Sequence, residues 1–439
     1  MKKNLFIVIA LLFATFVFSV GCNKNDSNEN TVSNDAEKYS ADVATDWFTL
    51  ETEFTKSTPG FGPGISGRAF AYSGLALYEA VVTGMPGYQP IYAQLSGKQI
   101  VVGDKSVYYW PACANAALAA SAKKFFAATT AENLAKIDKL EADKLSGFQG
   151  KATPESITLS VAFGKMVGDS IFSWSASDGG LPPFPVYIPV QPVTPGLWEP
   201  TPPAFAPGVT PNLGDVRTFV TGIANELMPP APTAYSEDPA SDFYKMVKYV
   251  YDTSTRASAS DIALVNTWGD NPGNYNGHTH LTKVLTQLII AEKFDLAKAA
   301  AAYAQHGMAI NDATIACFKA KYKYKLVRPV TYVRKVMGLS AWNTIIPTPP
   351  HPEYPAAHAA ISGASATILR YYFGDHYAFT DHVHESLYGA KSYASIDEYE
   401  AGSGWSRVLG GLHYVPSVNA GLVQGRATGN KVLALHFKK

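Results

Sequence analysis

The chain has 439 residues, and its 36 Lys plus Arg balance 36 Asp plus Glu. Charged residues make up only 16% of it, which excludes a diffuse basic field for nucleic acid and makes any anion site a local one. The length is enough for a deep core in one large or two medium domains, so stability needs no special staple.

Met1-Lys2-Lys3, the apolar run from Leu5 to Val20 and the exit Gly21-Cys22 have the charge, core length and small residues of an export signal. The run is too short for a membrane span. Ser19-Val20-Gly21-Cys22 resembles a bacterial lipobox, with Ser19 where Leu is usual. Residues 1–22 are therefore expected to be a signal peptide, Cys22 a lipid anchor, and polar residues 23–38 a flexible tether. The expected location is the periplasm or cell surface, anchored to the outer membrane. A plain cleaved secretory peptide is the alternative.

Helical periodicity dominates the remainder. Leu134, Ile137 and Leu140 repeat at three, and Leu281, Val284, Leu285 and Leu288 at three and four, each set giving one apolar stripe. Alanine-rich runs at 114–122 and 297–302 suit close helix packing. Strand-like alternation is scarce, so the fold class is all-α, built as bundles. Between Leu181 and Asn212 stand eleven prolines, which prevent regular helix and central strand and impose an extended path. Phe184, Tyr187, Trp198 and Phe205 within it predict a belt packed over the surface. The expected organisation is an N-terminal helical half, 39–180, a Pro-rich connector, 181–234, and a C-terminal helical half, 235–439, that carries the site. Beyond Cys22 the cysteines are Cys113 and Cys317, whose separation fits no metal-ligand spacing; buried, inert thiols are expected.

All ten histidines lie beyond Gly277, which places the chemistry in the last 160 or so residues. Lys321 and Arg328 are seven apart, and on a helix both would point at one target. Pro329 disfavours helix at Arg328 itself. Pro355 predicts the first turn of a helix with an apolar stripe through Ile361, Ala364 and Ile368 and a stop by Gly374. His358 then lies in the opening turn, where the N–H groups of Ala356, Ala357 and His358 lack intrahelical partners and form an anion cradle. Arg407 and His413 would diverge on an ideal helix, but Gly410-Gly411 permits a bend that brings them together. Three fixed cations and two imidazoles would thus surround one tetrahedral or trigonal-bipyramidal oxyanion. Asp270 and Asp312 are candidate partners for the buried guanidiniums. His278 and His280, and likewise His382 and His384, lack a third ligand in view and are expected to be loop or packing residues.

The order Lys321, Arg328-Pro329, Pro355-x-x-His358, Ser406-Arg407, five residues, His413 resembles the signature shared by vanadium-dependent haloperoxidases and the type 2 phosphatidic acid phosphatase superfamily. The flanks Pro352-Glu353-Tyr354 and Gly411-Leu412-His413-Tyr414 agree, and Arg68-Ala69 with Leu75 to Ala80 is similar to an early helix of bacterial haloperoxidase-like proteins. The resemblance implies helical bundles of the haloperoxidase type. It also implies vanadate as cofactor, with His413 as the single covalent ligand. Lys321, Arg328, Arg407 and the amide of Ala357 would hold the oxygens, and His358 would take a proton from hydrogen peroxide. His351 stands where bromide-oxidising members carry His, so bromide or iodide is the expected halide.

One departure stands out. Ala356-Ala357 replaces the usual Ser-Gly, and the lost hydroxyl is expected to weaken cofactor binding about tenfold, from about 1 to 2 kcal/mol. The same constellation serves a secreted acid phosphatase, with His413 attacking phosphorus to form a phosphohistidine, His358 protonating the leaving group and phosphate competing for the site. A third reading is a non-catalytic envelope lipoprotein that binds through exposed aromatics.

Overall fold

The computed structural model describes residues 35–270 and 274–439. The expected export signal, lipobox cysteine and most of the tether lie outside the described residues. Residues 36–38, assigned to the tether from sequence, instead form a 3-10 turn capped by Asp35, with Ala36 buried.

Sixteen α-helices and one two-stranded sheet make up the described residues. The helices are α1 (Asp42–Phe54), α2 (Pro63–Val81), α3 (Tyr92–Ser96), α4 (Trp110–Phe125), α5 (Ala131–Gly147), α6 (Pro154–Ser175), α7 (Ile223–Glu226) and α8 (Asp242–Thr255), followed by α9 (Ala259–Thr267), α10 (Gly277–Ala291), α11 (Leu296–Tyr324), α12 (Pro329–Lys335), α13 (Ala357–Phe373), α14 (Glu385–Tyr388), α15 (Ile396–Leu409) and α16 (Val415–Leu433). The fold is all-α, as the periodicity predicts. No helix among the described residues is long and apolar enough to cross a membrane.

The long helix α11 is the shaft of the molecule. Asp295 starts it by accepting from Lys298 N at 2.8 Å, and nearly all of its alanines are buried. The small side chains let neighbouring backbones come close: a Cβ on Gly74 of α2 would lie 2.7 Å from the carbonyl oxygen of Tyr303. The α13–α16 pair is as tight, since a Cβ on Gly425 would collide with the carbonyl of Ala360. Through α11, one continuous apolar core joins residues of α1, α2 and α4 to residues of α10, α13 and α15. The two helical halves therefore share their interior.

The proline-rich stretch is held to that body at several points. Trp198 is fully buried and its N–H donates to Lys325 O at 2.6 Å, while Val327 N–H donates to Gly196 O at 3.0 Å. Val209 N–H reaches Pro350 O at 2.9 Å, which lays the belt across the segment before α13. The small sheet pairs β1 (Phe379–Asp381) with β2 (Lys391–Tyr393), Asp381 opposite Lys391. Cys113 and Cys317 are free, buried thiols, and burial pushes the latter up to about 11.

Gly425→Ala should lower the unfolding free energy by about 1 to 3 kcal/mol through overpacking, whereas Gly147→Ala, with open space around it, should be neutral or stabilising; urea denaturation of both checks this. His306 is buried with Nε2 2.8 Å from Ser365 Oγ, and burial pushes its pKa down to about 3, with His278 adding to the effect. Between pH 6 and 4 the unfolded chain therefore takes up a proton that the native state refuses, so stability rises with pH at this position, by up to about 1.4 kcal/mol per pH unit. His306→Gln should reduce the slope of stability against pH by about one proton; an unchanged slope would show that His306 titrates normally in the native state.

Candidate active site

Helix α11 ends sooner than the seven-residue spacing implied. Lys325 takes a left-handed conformation at φ 49°, so Lys321 lies in the last turn and Arg328 stands beyond it as the extended N-cap of α12. The predicted shared helical face does not form. The turn brings the two cations together instead, because both fold around the segment 349–353. Lys321 Nζ donates to Pro352 O at 2.8 Å and Glu353 O at 2.9 Å. Arg328 donates from Nε to His351 O at 3.0 Å and from its terminal nitrogens to Leu412 O at 3.0 Å and Pro349 O at 3.3 Å.

Glu353 is the carboxylate at the centre of this group. Oε1 accepts from His413 Nδ1 at 2.9 Å and Tyr414 N at 3.0 Å, and Oε2 from Ser417 Oγ at 2.7 Å. With Nδ1–H committed to Glu353, His413 is the tautomer whose Nε2 carries a lone pair, and Arg328 donates to that atom at 3.1 Å. Burial pushes the Glu353 carboxyl up and the Lys321 ammonium down, and each partly restores the other. His413 is held well below the usual histidine range by burial and then by Arg328 and Lys321, so its imidazole is neutral. Burial lowers Arg328 and Arg407 to about 10, which leaves both charged at neutral pH.

The bend predicted at Gly410-Gly411 is a complete helix stop. Gly411 has φ 78°, Leu412 N–H donates to Arg407 O at 3.0 Å, and Gly411 N–H donates to Val408 O at 3.0 Å, the paired bonds of a Schellman motif. His413 N–H also reaches Arg407 O, at 3.3 Å. Arg407 is buried, with Nε donating to Ser406 Oγ at 3.1 Å and a terminal nitrogen to Trp268 O.

His358 sits in the first turn of α13, as expected, and its Nε2 lies 2.7 Å from Asp270 Oδ2. Burial, then Arg407, pull the His358 pKa below its ordinary value, and Asp270 offsets part of this. Asp270 itself has φ 46°, a strained conformation for a residue with a Cβ. Asp312, the other candidate partner, points elsewhere: it accepts the N–H groups of Phe219 and Val220, each at 2.9 Å. His351 Nδ1 accepts from Arg328 at 3.1 Å, and burial followed by Lys321 and Arg328 holds it well below the ordinary range.

One cavity of about 490 Å³ collects the chemistry: His351, Ala357, His358, Arg407 and His413 all line it. Its remaining wall is mostly apolar, with Phe184 and Val209 from the belt facing Phe318 and Ile346. Lys321, Arg328 and Ala356 do not line the cavity; Arg328 stands directly behind its polar side, bonded to the lining residues His351 and His413. The N–H of Ala356 is taken by Ser417 O at 3.0 Å, so the cradle expected from three amides begins only at Ala357. The Ala356 side chain is buried in an apolar cluster with Tyr354 and Val418.

Two acidic residues carry more of the site than the sequence suggested. Glu353 was visible only as a flank of the first histidine motif, although a carboxylate inside a proline-rich run is itself a signal. Asp270 was one of two candidates that spacing could not separate. The histidine pairs, expected to be loop or packing residues, divide: His278 and His280 are packed and buried in the first turn of α10, and His384 is buried while His382 is exposed. His278 lines the cavity and meets Thr314 Oγ1 at 2.6 Å.

Residues 301–438 match the family model of the VCPO second helical-bundle domain. The crystal structure of the first bacterial vanadium-dependent iodoperoxidase superposes with a TM-score of 0.82 at 28% identity, over 91% of this chain and 98% of that one. Residues 301–438 thus carry a helical bundle of the VCPO type, and the chain as a whole is similar to that bacterial iodoperoxidase. Apo-type and holo-type bacterial vanadium-dependent chloroperoxidases share the haloperoxidase fold at 16% identity, with TM-scores of 0.67 and 0.66 over 84% and 87% of this chain and 94% of each of theirs. No curated protein matches significantly.

The residues present suit a multiply charged oxyanion: a neutral imidazole whose Nε2 lone pair meets Arg328, two buried guanidiniums, an ammonium and a helix N-terminus. Glu353→Ala should destabilise the fold by about 3 to 5 kcal/mol, because Lys321 and Arg328 would lose their neighbouring counter-charge in a buried setting. Chemical denaturation measures it; a loss under about 1 kcal/mol would show that the carbonyl acceptors alone satisfy both cations.

Proposed function

We propose that the protein is a vanadium-dependent haloperoxidase that oxidises iodide or bromide with hydrogen peroxide to the hypohalous acid. The observation that carries this is the pair of differently prepared imidazoles on one cavity. His413 is fixed by Glu353 with its Nε2 lone pair turned towards Arg328, and His358 is fixed by Asp270 through Nε2 with Nδ1 left as a base. The similarity to a bacterial iodoperoxidase over 91% of the chain favours the softer halides.

His413 would be the one protein ligand of vanadate, and Arg407, Arg328, Lys321 and the amide of Ala357 would hold its oxygens. Bound vanadate supplies Lewis-acid activation of peroxide without a change in oxidation state. The neutral His358, oriented by Asp270, accepts the proton that hydrogen peroxide gives up on binding. His351, whose Nδ1 receives Arg328, keeps that guanidinium in position behind the ion. The apolar walls strip water from a large, polarisable halide at little electrostatic penalty and keep competing water from the activated oxygen. The residues at 1–22 support the further reading that the enzyme is exported and lipid-anchored at Cys22.

The protein reconstituted with orthovanadate should oxidise iodide and bromide in the presence of hydrogen peroxide, with chloride much slower. His413→Ala should abolish the activity, and His358→Ala should reduce it by about 10² to 10⁴. Hydrolysis of p-nitrophenyl phosphate by the metal-free protein, with no halide oxidation, would replace this reading by a phosphatase working through a phosphohistidine at His413. Neither activity in a folded protein would point to a binding function.

A further inference from the structure

Behind the cavity, on the far side of Asp270, three buried side chains converge without satisfying one another. Asp270 Oδ1 lies 3.5 Å from His280 Nδ1 and 3.5 Å from His384 Nε2, and the three atoms all lie within 4.8 Å of one another. None of the three makes a hydrogen bond. Their residues come from separate places in the fold: Asp270 from the loop after α9, His280 from the first turn of α10, and His384 from the segment between the small hairpin's first strand and α14. Three orphaned polar atoms aimed at one point in a dry interior are costly unless something charged lies among them.

The ring of His280 narrows down what that is. Its Nε2 lies 2.7 Å from Asp381 Oδ2, and Asp381 is itself oriented by Val383 N–H, which donates to Oδ1 at 2.8 Å. In the singly protonated ring the Nε2 proton goes to that carboxylate and Nδ1 is the lone-pair face turned towards Asp270, whereas a doubly protonated ring would point an N–H there. A carboxylate that fixes one nitrogen of an imidazole while the other faces a carboxylate and a second imidazole is the outer-shell pattern of a metal-bound histidine. The two distances to Asp270 Oδ1 agree with this, since donors about 2.0 to 2.2 Å from one tetrahedral zinc ion lie about 3.4 Å apart, and the two imidazole nitrogens lie within 4.8 Å of each other. The indole of Trp268 stacks on His280 at 4.5 Å between ring centroids and closes the site on that side.

We propose that Asp270, His280 and His384 bind a divalent first-row cation of the zinc class, with Asp381 as the carboxylate that orients His280. Two imidazole nitrogens and one carboxylate oxygen form a donor set that zinc accepts, and a water fills its fourth position. The site is distinct from the oxyanion cavity, yet Asp270 belongs to both: Oδ1 faces the cation and Oδ2 holds His358. The cation thus pins the strained backbone at Asp270 and, through it, the ring of His358. This proposal does not depend on the halide chemistry. The competing arrangement has no metal and a doubly protonated His280, an imidazolium that Asp381 and Asp270 keep charged.

The test is metal retention by the full chain. Wild-type protein, His384→Ala and His382→Ala are loaded with zinc chloride, desalted and measured for zinc by mass spectrometry, with folding verified by circular dichroism. About one zinc per chain is expected for wild type and for His382→Ala, and less than about a fifth of that for His384→Ala. Cobalt loading should give visible d–d absorption in wild type that His384→Ala lacks. No retained metal in wild type, or equal retention in His384→Ala, overturns the proposal and favours the imidazolium. Should His384→Ala fail to fold, Asp381→Asn carries the test, since it keeps all three ligands: zinc affinity should fall by about 10 to 100-fold, and an unchanged affinity overturns the site. Vanadium content is measured in the same samples, so failure of zinc binding and failure of vanadate binding are seen separately.

Discussion

The buried carboxylate of Glu353 is the constraint on which the rest of the site depends. It has no solvent exposure, and its two oxygens take hydrogen bonds from His413, Tyr414 and Ser417 while its own main-chain oxygen receives Lys321. Removing charges from water is expensive, and two cations plus a neutral imidazole can be packed together here only because one negative group and a ring of carbonyls compensate them. The same carboxylate that compensates the cations also selects the tautomer of His413. Structural compensation and chemical preparation are therefore one interaction, and the sequence 349–353 is needed for both.

The helical scaffold supplies the rigidity that such an arrangement needs. α13 and α16 meet so closely that the carbonyl of Ala360 occupies the space a side chain at Gly425 would need, and His358 and His413 stand just before or within the first turns of these two helices. Their separation is fixed by backbone contact, with no long side chain left to relax. The Schellman stop at Gly411 adds a third fixed point, since Leu412 and His413 both return to the carbonyl of Arg407. Arg407 and His413, which diverge on an ideal helix, are thereby held at one cavity.

Much of this was legible in the amino-acid order, and the reason lies in where each signal is local. Helix periodicity, the stop at Gly374, the Gly410-Gly411 bend and the placement of His358 in an opening turn depend on neighbours within a few residues. The readings that changed depend on distant partners. Lys321 and Arg328 are expected to share a helical face, but the left-handed turn at Lys325 ends α11 and lets the segment 349–353 collect both through its carbonyls. The Ala356 amide was expected to face an anion and is instead consumed by Ser417. His280 and His384 lack a third partner in the linear order because Asp270 reaches them from the loop after α9 and Asp381 reaches His280 from the end of β1. The packing of the belt was foreseeable from its aromatics; its place on the cavity wall was not.

That placement sets who controls entry. Phe184 and Val209 belong to a segment without repeating backbone bonds, pinned to the body through the main chain of Trp198 and Val209 and the ring of Tyr187 against Tyr322. The groups that would do chemistry are fixed at helix ends and by buried hydrogen bonds, whereas one wall of the cavity is drawn by residues free of helical or sheet register. Substitutions along 184–210 can therefore reshape the size and greasiness of the entrance while the interior stays as it is, so relatives that share every charged residue are free to differ in the molecules they admit.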